Sequence, residues 1–285
     1  MTTRRDFLTT VGTALGAATL GARVLSATES ARHLPHIGIQ LYTLRSLTEK
    51  NLEGTLAKVA RIGYKEVEFA GYFGKTPAQV RAMLKKTGLT SPSTHTQLPK
   101  SDDEFKQVCA DAKVIGHKWV VIAWLAPEER KNADDWARHA DHFNKLAAIA
   151  KSHGLKFAYH NHDFEFMRVG DVTGLDVLLS KTDPKLVDFE MDLYWVTKGG
   201  ADPIALFKRY PHRFPLMHAK DATAAPALAM TDVGSGIIDF AKIFAQAKTS
   251  GMQHVYVERD DAAEHGADPL VSATTSFKYL SKLSY

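Results

Sequence analysis

The chain has 285 residues, of which 45% are hydrophobic and 24% are charged, which is enough for one or two domains with packed cores. Its formal net charge is +4, and half of this comes from three arginines and one aspartate within residues 1–27. The remaining charge is too weak for a nucleic-acid-binding surface. The single cysteine, Cys109, excludes an internal disulfide, and its helical context predicts a small core residue.

Residues 1–27 have the pattern of an export signal. Segment 4–8 reads Arg-Arg-Asp-Phe-Leu, an apolar stretch runs from Val11 to Ala22, and small residues follow up to Ala27. This order is typical of a secretory signal, and the apolar stretch is shorter than the roughly 20 residues that span a bilayer. The paired arginines resemble a twin-arginine signal peptide. We therefore expect cleavage near Ala27, export to the periplasm by the twin-arginine route, and no stable membrane anchor after cleavage.

From about residue 36 the chain alternates between short apolar segments typical of buried strands and longer segments with helical spacing. The predicted strands lie at 37–42, 67–70, 89–95, 119–124, 156–160, 186–192, 214–218 and 254–258. The predicted helices lie at 52–62, from 76 onward, at 102–115, 134–153 and 174–181, from 202 onward, and at 238–250 and 268–282. Eight strand-helix pairs of about 30 residues each predict an α/β protein with a single domain, a (β/α)8 TIM barrel over residues 36–283.

The main alternative fold is an open, doubly wound sheet. Such a sheet favours a glycine-rich phosphate loop after its first strand, where this chain has Tyr-Thr-Leu-Arg at 42–45. The later Gly-Ser-Gly at 234–236 is predicted to be a turn rather than a phosphate cradle. The barrel is therefore the favoured fold.

Several predicted strands end on side chains that bind metals. These are His160, with His162 two residues later, and then Asp192, His218 and Glu258. The carboxyl ends of all strands meet on one face of a barrel, so these side chains should converge there. A mixture of imidazole and carboxylate ligands suits one divalent ion, Mn, Zn or Mg, and argues against calcium.

The alternation of side chains along a strand leaves two candidates for the strand-five ligand. His160 and His162 both qualify, because residues two apart share a face. By the same rule Glu190 shares the face of Asp192, where it is expected to orient a ligand. The acidic residues Asp163 and Glu165 are expected in the loop that follows.

Five segments carry a family resemblance: Tyr-His-Asn-His-Asp-Phe-Glu (159–165), Met-Asp-Leu-Tyr-Trp (191–195), His-Ala-Lys-Asp (218–221), Gly-Ser-Gly-Ile-Ile-Asp-Phe (234–240) and Tyr-Val-Glu-Arg-Asp (256–260). The chain resembles the xylose isomerase-like barrel family, which contains sugar epimerases, hydroxypyruvate isomerase, inosose dehydratase and endonuclease IV. In the epimerase branch one ion is held by Glu, Asp, His and Glu at the ends of strands five to eight. The last three positions carry over to Asp192, His218 and Glu258, whereas His160 stands where those enzymes have glutamate. The resemblance thus implies a metal site of these four residues, with Glu258 as the one obvious carboxylate base.

Other strand ends supply further candidates. Lys220 and His95 join Glu258 as catalytic candidates, which would stabilise a developing negative charge or donate a proton. The substrate-binding candidates are Gln40, Glu68, Trp124 and Trp195. The two tryptophans would stack on the apolar face of a sugar ring, with plain packing at the barrel mouth as the alternative.

The leading interpretation is a divalent-metal-dependent isomerase or epimerase that removes the proton next to a metal-bound carbonyl of a sugar or keto-sugar. Loss of a β-oxygen after the same first step would make it a lyase or dehydratase, acting on a 3-keto-glycoside or an inosose-like substrate. A non-catalytic periplasmic sugar-binding barrel is a third interpretation. Phosphodiester hydrolysis is disfavoured because Trp195 stands where several relatives have another histidine. The expected partner is a small carbohydrate and not a nucleic acid, and the resemblance allows a homo-oligomer.

Overall fold

The computed structural model describes residues 31–264 and 268–285, so the predicted export signal at 1–27 lies outside the described residues. Eight parallel strands form one sheet. They are β1 (Gly38–Gln40), β2 (Glu66–Glu68), β3 (Ser93–Thr96), β4 (Trp119–Ile122), β5 (Lys156–His160), β6 (Val187–Asp192), β7 (Leu216–Ala219) and β8 (His254–Val257). Each of them overlaps a segment that the sequence predicts as a strand.

The order of the strands in the sheet is β2-β1-β8-β7-β6-β5-β4-β3. The two end strands of this order are joined by single bridges, from Glu66 to Thr90 and from Phe69 to Thr94. The sheet therefore curls into a nearly closed barrel. This confirms the predicted single-domain (β/α)8 TIM barrel and excludes the open sheet.

Helices alternate with the strands and cover the outside of the barrel, as the fold requires. They are α1 (Arg45–Ile62), α2 (Pro77–Thr87), α3 (Asp102–Ile115), α4 (Ala133–Ser152), α5 (Gly174–Lys181), α6 (Leu193–Lys198), α7 (Pro203–Arg209), α8 (Phe240–Phe244), α9 (Ala247–Ser250) and α10 (Pro269–Leu280). None of these helices, within the residues that the structure describes, is long and apolar enough to cross a membrane.

Local sequence explains several of the boundaries. The Thr76 side chain accepts a hydrogen bond from the Gln79 backbone N–H and the Gln79 side chain accepts one from the Thr76 backbone N–H, so α2 begins with a capping box followed by a proline. The helix starts where the sequence predicts it. β3 begins later than predicted because Pro92 has no N–H to give to a neighbouring strand. α1 begins earlier than predicted, and its backbone leaves helical geometry at Asn51. That interruption breaks the apolar spacing, so helical periodicity alone does not predict the first turns of α1.

The register of the strands brings the polar strand ends to one level. Asp192 pairs with His218 across β6 and β7, and His160 pairs with Glu190 across β5 and β6. Below this level an apolar layer fills the barrel interior, formed by Trp119, Val121, Ala158, Leu216 and Tyr256. The candidate functional side chains therefore lie directly above a packed apolar layer, at the carboxyl end of the barrel.

Candidate active site

The four predicted metal ligands meet at the carboxyl end of the barrel. His160 and Asp192 are the last residues of β5 and β6, His218 lies in β7, and Glu258 directly follows β8. Each offers one ligand atom, and these atoms lie within 4.8 Å of one another. All four side chains are buried. Two imidazoles and two carboxylates form a donor set that suits a divalent ion such as zinc or manganese.

One buried oxygen supports the fit of a cation at this point. The Oδ1 atom of Asp192 accepts a hydrogen bond of 3.0 Å from the Trp195 backbone N–H at the start of α6. The Oδ2 atom of Asp192 is buried and has no hydrogen-bond partner among the described residues. It lies 3.7 Å from Nδ1 of His218 and 3.8 Å from Nε2 of His160. Among the described residues the cation near this oxygen is the Lys220 ammonium, whose Nζ lies 3.2 Å away and also contacts Glu258 and Asp260. An ion held by the same four side chains would therefore compensate the buried negative charge more fully.

Two further carboxylates lie behind the imidazoles. Nδ1 of His160 is 3.2 Å from Oε2 of Glu190, and Nε2 of His218 is 2.7 Å from Oε2 of Glu68. Each ring therefore places one nitrogen among the candidate ligands and the other beside a carboxylate. This is the carboxylate–histidine–metal arrangement that fixes the tautomer and orientation of a ligating imidazole. The position of Glu190 agrees with its expected role of orienting a ligand.

The predicted substrate contacts Gln40 and Glu68 lie elsewhere than expected. Both side chains are fully buried, and Nε2 of Gln40 donates a hydrogen bond of 2.8 Å to Oε2 of Glu68. The short β1 and β2 strands end below the cavity, so Glu68 reaches the back of His218 and Gln40 contacts Glu68. They support the imidazole of His218, and neither lines the cavity.

The carboxylates control the ionisation of the cluster. Burial would lower the pKa of His218, but Glu190 and Glu258 outweigh burial and hold that pKa well above its ordinary value. Burial would raise the pKa of Glu258, but Lys220 and His218 hold it well below its ordinary range. Burial dominates for Asp192 and raises its pKa to about 6. Glu258 is thus held as a carboxylate, which is the form that a base requires.

Lys220 lies at the centre of an acidic group. Its Nζ atom is 2.8 Å from Oε2 of Glu258, 3.2 Å from Oδ2 of Asp192 and 2.9 Å from Oδ1 of Asp260. Burial would lower the pKa of Lys220, but these three carboxylates hold it well above its ordinary value. The side chain is therefore a buried ammonium beside the candidate base. The sequence reasoning missed Asp260, although its position two residues after Glu258 puts it on the same face.

A cavity of about 670 Å³ opens above the cluster. Of the predicted catalytic and binding residues, His95, Lys220, Trp124 and Glu258 line it, together with His160. Nε2 of His95 lies 2.5 Å from Oε2 of Glu190. The catalytic candidates therefore share one chamber with the metal-type ligands. A chamber of this size is typical of small-molecule sites.

His162 and Trp195 lie beside this cluster. The ligand atoms of two groups of side chains converge: the four predicted ligands, and a second group of His95, His160, Glu190 and His218. His162 lines the cavity but belongs to neither group, whereas His160 belongs to both, so the geometry favours His160 as the strand-five ligand. The His162 ring stacks on Phe164 and packs against Trp195, with ring centroids 5.2 Å and 5.3 Å apart. Trp195 is half-buried and does not line the cavity. Its ring instead lies 5.5 Å from Nζ of Lys220.

Known proteins with similar sequences include inosose dehydratases. The chain is 27% identical to an inosose dehydratase of Geobacillus kaustophilus (strain HTA426), over 80% of this chain and 86% of that protein. It is 29% identical to an inosose dehydratase of Lacticaseibacillus casei, over 81% of this chain and 89% of that protein. These alignments run over most of the barrel.

Solved structures give the same assignment of fold. A sugar phosphate isomerase/epimerase from Parabacteroides distasonis is 27% identical, with a TM-score of 0.78 over 90% of this chain and 96% of that one. The IOLI protein, solved with a binding zinc atom, is 16% identical, with a TM-score of 0.66 over 85% of this chain and 95% of that one, and it supports the fold alone. The family model described as xylose isomerase-like TIM barrel matches residues 56–280. The chain therefore belongs to the xylose isomerase-like TIM barrel family.

Proposed function

We propose that this protein is a divalent-metal-dependent lyase that eliminates a β-oxygen from a keto-sugar. The observation that carries the proposal is the position of one buried carboxylate base, Glu258, 2.8 Å from the buried ammonium of Lys220. Both lie beside His160, Asp192 and His218 in the same cavity or directly below it. The inosose dehydratase relatives support a dehydration. The solved sugar phosphate isomerase/epimerase supports an isomerisation about equally well.

His160, Asp192, His218 and Glu258 would hold the ion. When bound, such an ion supplies Lewis-acid polarisation of the substrate carbonyl, which lowers the pKa of the neighbouring C–H bond. The residues behind the ligands, Glu68 and Glu190, orient the two imidazoles. The protein thus contributes a fixed geometry and a chamber for the substrate.

Glu258 would take the proton from the carbon next to the carbonyl. The electron pair of that C–H bond forms a C=C bond, and the C–O bond at the next carbon breaks. The departing oxygen takes a proton from the Lys220 ammonium. The products are an unsaturated ketone and a water or an alcohol, and proton transfer between Glu258 and Lys220 restores both groups.

The strand-five histidine is the reason for favouring elimination. A two-base epimerisation needs a second carboxylate on the other side of the substrate, and His160 occupies that position. Burial, and the neighbouring His218 after it, lower the pKa of His160 to about 3, so the ring stays neutral. An elimination needs only one base and one acid, which Glu258 and Lys220 provide.

Isomerisation or epimerisation is the second candidate. The observation in its favour is His95, which lines the cavity and contacts Glu190 through Nε2. This ring would supply the second proton transfer from a different side of the chamber. The deprotonation by Glu258 would be common to both reactions.

The test begins with metal content by elemental analysis of the purified protein, followed by incubation with an inosose and a 3-keto-glycoside in D₂O. Elimination produces an unsaturated ketone with a new ultraviolet absorbance, whereas isomerisation produces solvent deuterium in a saturated product. Glu258→Gln and Lys220→Met should abolish elimination. Glu66→Gln, at a buried carboxylate that contacts His254 away from the cavity, is the matched control and should retain activity. If the protein held no metal after reconstitution and turned over neither substrate, the lyase proposal would be wrong. A sugar-binding barrel would then be the better interpretation.

We also propose export to the periplasm by the twin-arginine route, on the sequence of residues 1–27 alone. Twin-arginine substrates cross the membrane folded, so an ion would be inserted before export. Replacement of both Arg4 and Arg5 by lysine should leave the full-length protein in the cytoplasmic fraction. Equal periplasmic amounts of wild type and variant would contradict this route.

A further inference from the structure

The cavity extends well beyond the cluster of candidate ligands. One wall carries His160, Lys220 and Glu258, from the β5, β7 and β8 ends of the barrel. The opposite part lies over the β1 to β4 side and reaches Asp111 on α3, and it also includes Gln97, Thr96 and Tyr72. A sugar ring placed against the first wall therefore leaves the second part of the chamber free. The shape suits a ligand longer than a single ring.

Two exposed aromatic side chains line this cavity. Tyr42 is 43% exposed and Trp124 is 40% exposed, and every other Phe, Tyr and Trp side chain in the described part of the chain is buried or half-buried. The guanidinium of Arg45 lies 4.3 Å from the centroid of the Tyr42 ring, which fixes the position of that ring. An aromatic ring kept open to solvent loses the energy of burial unless a ligand covers it. The C–H faces of a sugar provide such a cover.

The charges that line the cavity disfavour an anionic ligand. Arg45 lies outside this lining, beside Tyr42, and donates hydrogen bonds to the backbone oxygens of Tyr42 and Asp260. Among the described residues that line the cavity, Lys220 is the one lysine or arginine, and its ammonium already contacts three carboxylates. Asp111, Glu258 and Asp260 add negative charge to the lining. A phosphate group would find no uncompensated side-chain cation in this lining.

The backbone N–H groups of the glycine-rich turn that follows β7 are also unavailable to a phosphate. In many TIM barrels a phosphate binds to backbone N–H groups of the loops after strands seven and eight. Here Oδ2 of Asp221 accepts hydrogen bonds of 2.9 Å from both Gly234 and Gly236, and Oδ1 accepts one of 3.1 Å from Ile238. Asp221 is itself buried, so a carboxylate of the protein occupies these donors. The turn predicted from the glycines is present, and its donors are saturated.

We propose that the substrate is an uncharged glycoside of two rings, with the reacting keto-sugar beside Glu258 and the second sugar ring between Tyr42 and Trp124. This inference rests on the proposed function for the identity of the reacting ring. The polar side chains of Gln97 and Asp111 would hydrogen-bond hydroxyl groups of the second ring. In the elimination, the glycosidic oxygen leaves with a proton from Lys220, so the second sugar departs as an alcohol.

The test is calorimetric titration of the full chain with glucose, the β-linked disaccharide cellobiose, and glucose 6-phosphate. None of these carries the keto group, so binding is measured without turnover. The disaccharide should bind about tenfold more tightly than glucose, as expected when a second ring stacks on two aromatic side chains that each contribute about half of the gain. Glucose 6-phosphate should bind no more tightly than glucose.

Variants locate the second-ring subsite. Trp124→Ala and Tyr42→Ala should each reduce the preference for the disaccharide to about threefold, with the affinity for glucose unchanged. Val271→Ala, at an exposed apolar residue of α10 outside the cavity lining, is the control and should retain the full preference. Equal affinity for the two neutral sugars, an unchanged preference in both aromatic variants, or tighter binding of the phosphate would each overturn the inference. If the protein turned over neither the inosose nor the 3-keto-glycoside but kept its preference for the disaccharide, the proposed lyase activity would be refuted. The second-ring subsite would still be supported.

Discussion

Replacement of Glu190 by glutamine tests the metal centre through a residue that lies behind the four predicted ligands. Oε2 of Glu190 lies 3.2 Å from Nδ1 of His160 and 3.2 Å from Nε2 of His218, the nitrogens that face away from the other candidate ligands. Glutamine preserves the shape and one acceptor oxygen but removes the negative charge. Both imidazoles would then donate their electron pairs to the metal less strongly. Loss of such a carboxylate partner costs about tenfold to a hundredfold in metal affinity, or roughly 1.4 to 2.7 kcal/mol.

The assay is competition between the metal-free protein and a chromophoric zinc chelator. Glu66→Gln removes the same charge from another buried carboxylate–histidine pair, in which Oε2 of Glu66 lies 2.8 Å from Nδ1 of His254. This control should bind zinc as the wild type does. Nitrogen-15 spectra of the metal-free imidazoles provide a second measurement, because Glu190→Gln should shift the tautomer balance of His160. If both glutamine variants had wild-type zinc affinity, Glu190 would not orient the ligands.

Three further predictions use other parts of the barrel. His160→Ala should lose bound metal in elemental analysis and His162→Ala should keep it, and the opposite result would place His162 in the site. Burial raises the pKa of Glu165 to about 8 from an ordinary value of 4.5. Between these values the folded protein keeps a proton that the unfolded chain releases, so the free energy of unfolding should fall as pH rises, by up to about 1.4 kcal/mol per pH unit. Glu165→Gln should remove that slope in denaturant unfolding, whereas the exposed Glu128→Gln should keep it; parallel curves for all three proteins would refute the assigned proton. Asp221→Ala should lower the free energy of unfolding by roughly 3 kcal/mol or more, because four backbone N–H groups lose their acceptor. A loss of less than about 1 kcal/mol would mean that water replaces the carboxylate.

The fold was predictable because strand and helix periodicity agree with the barrel in every repeat. α3 and α5 have the predicted boundaries, since each starts at a residue that follows a side-chain N-cap. α6 was not predicted, because Leu193–Lys198 is a single short segment that continues directly from β6. The predicted helix at 238–250 is two helices, α8 and α9, and Gln246 between them leaves helical geometry.

The candidate site was predictable to the extent that strand alternation determines which residues point inward. Asp192, His218 and Glu258 follow from that rule, as do Glu190 and Lys220, whereas the rule alone does not separate His160 from His162. Depth along the strand does not follow from it. Gln40 and Glu68 were expected at the substrate, but both lie below the cavity because the register of β1 and β2 is a tertiary property. The exposure of Tyr42 likewise depends on the turn at Leu41–Leu44.

The four candidate ligands come from four successive strands, β5 to β8, and this has a consequence for biogenesis. A chain that has not yet paired β8 with β1 lacks both a closed barrel and the position of Glu258. The ligand set is therefore assembled from contacts of high sequence separation, which form late in folding. In small zinc domains the ion drives folding of a short loop. In this barrel, capture of the ion would instead report that folding is complete, and truncated or misfolded chains would be left without it.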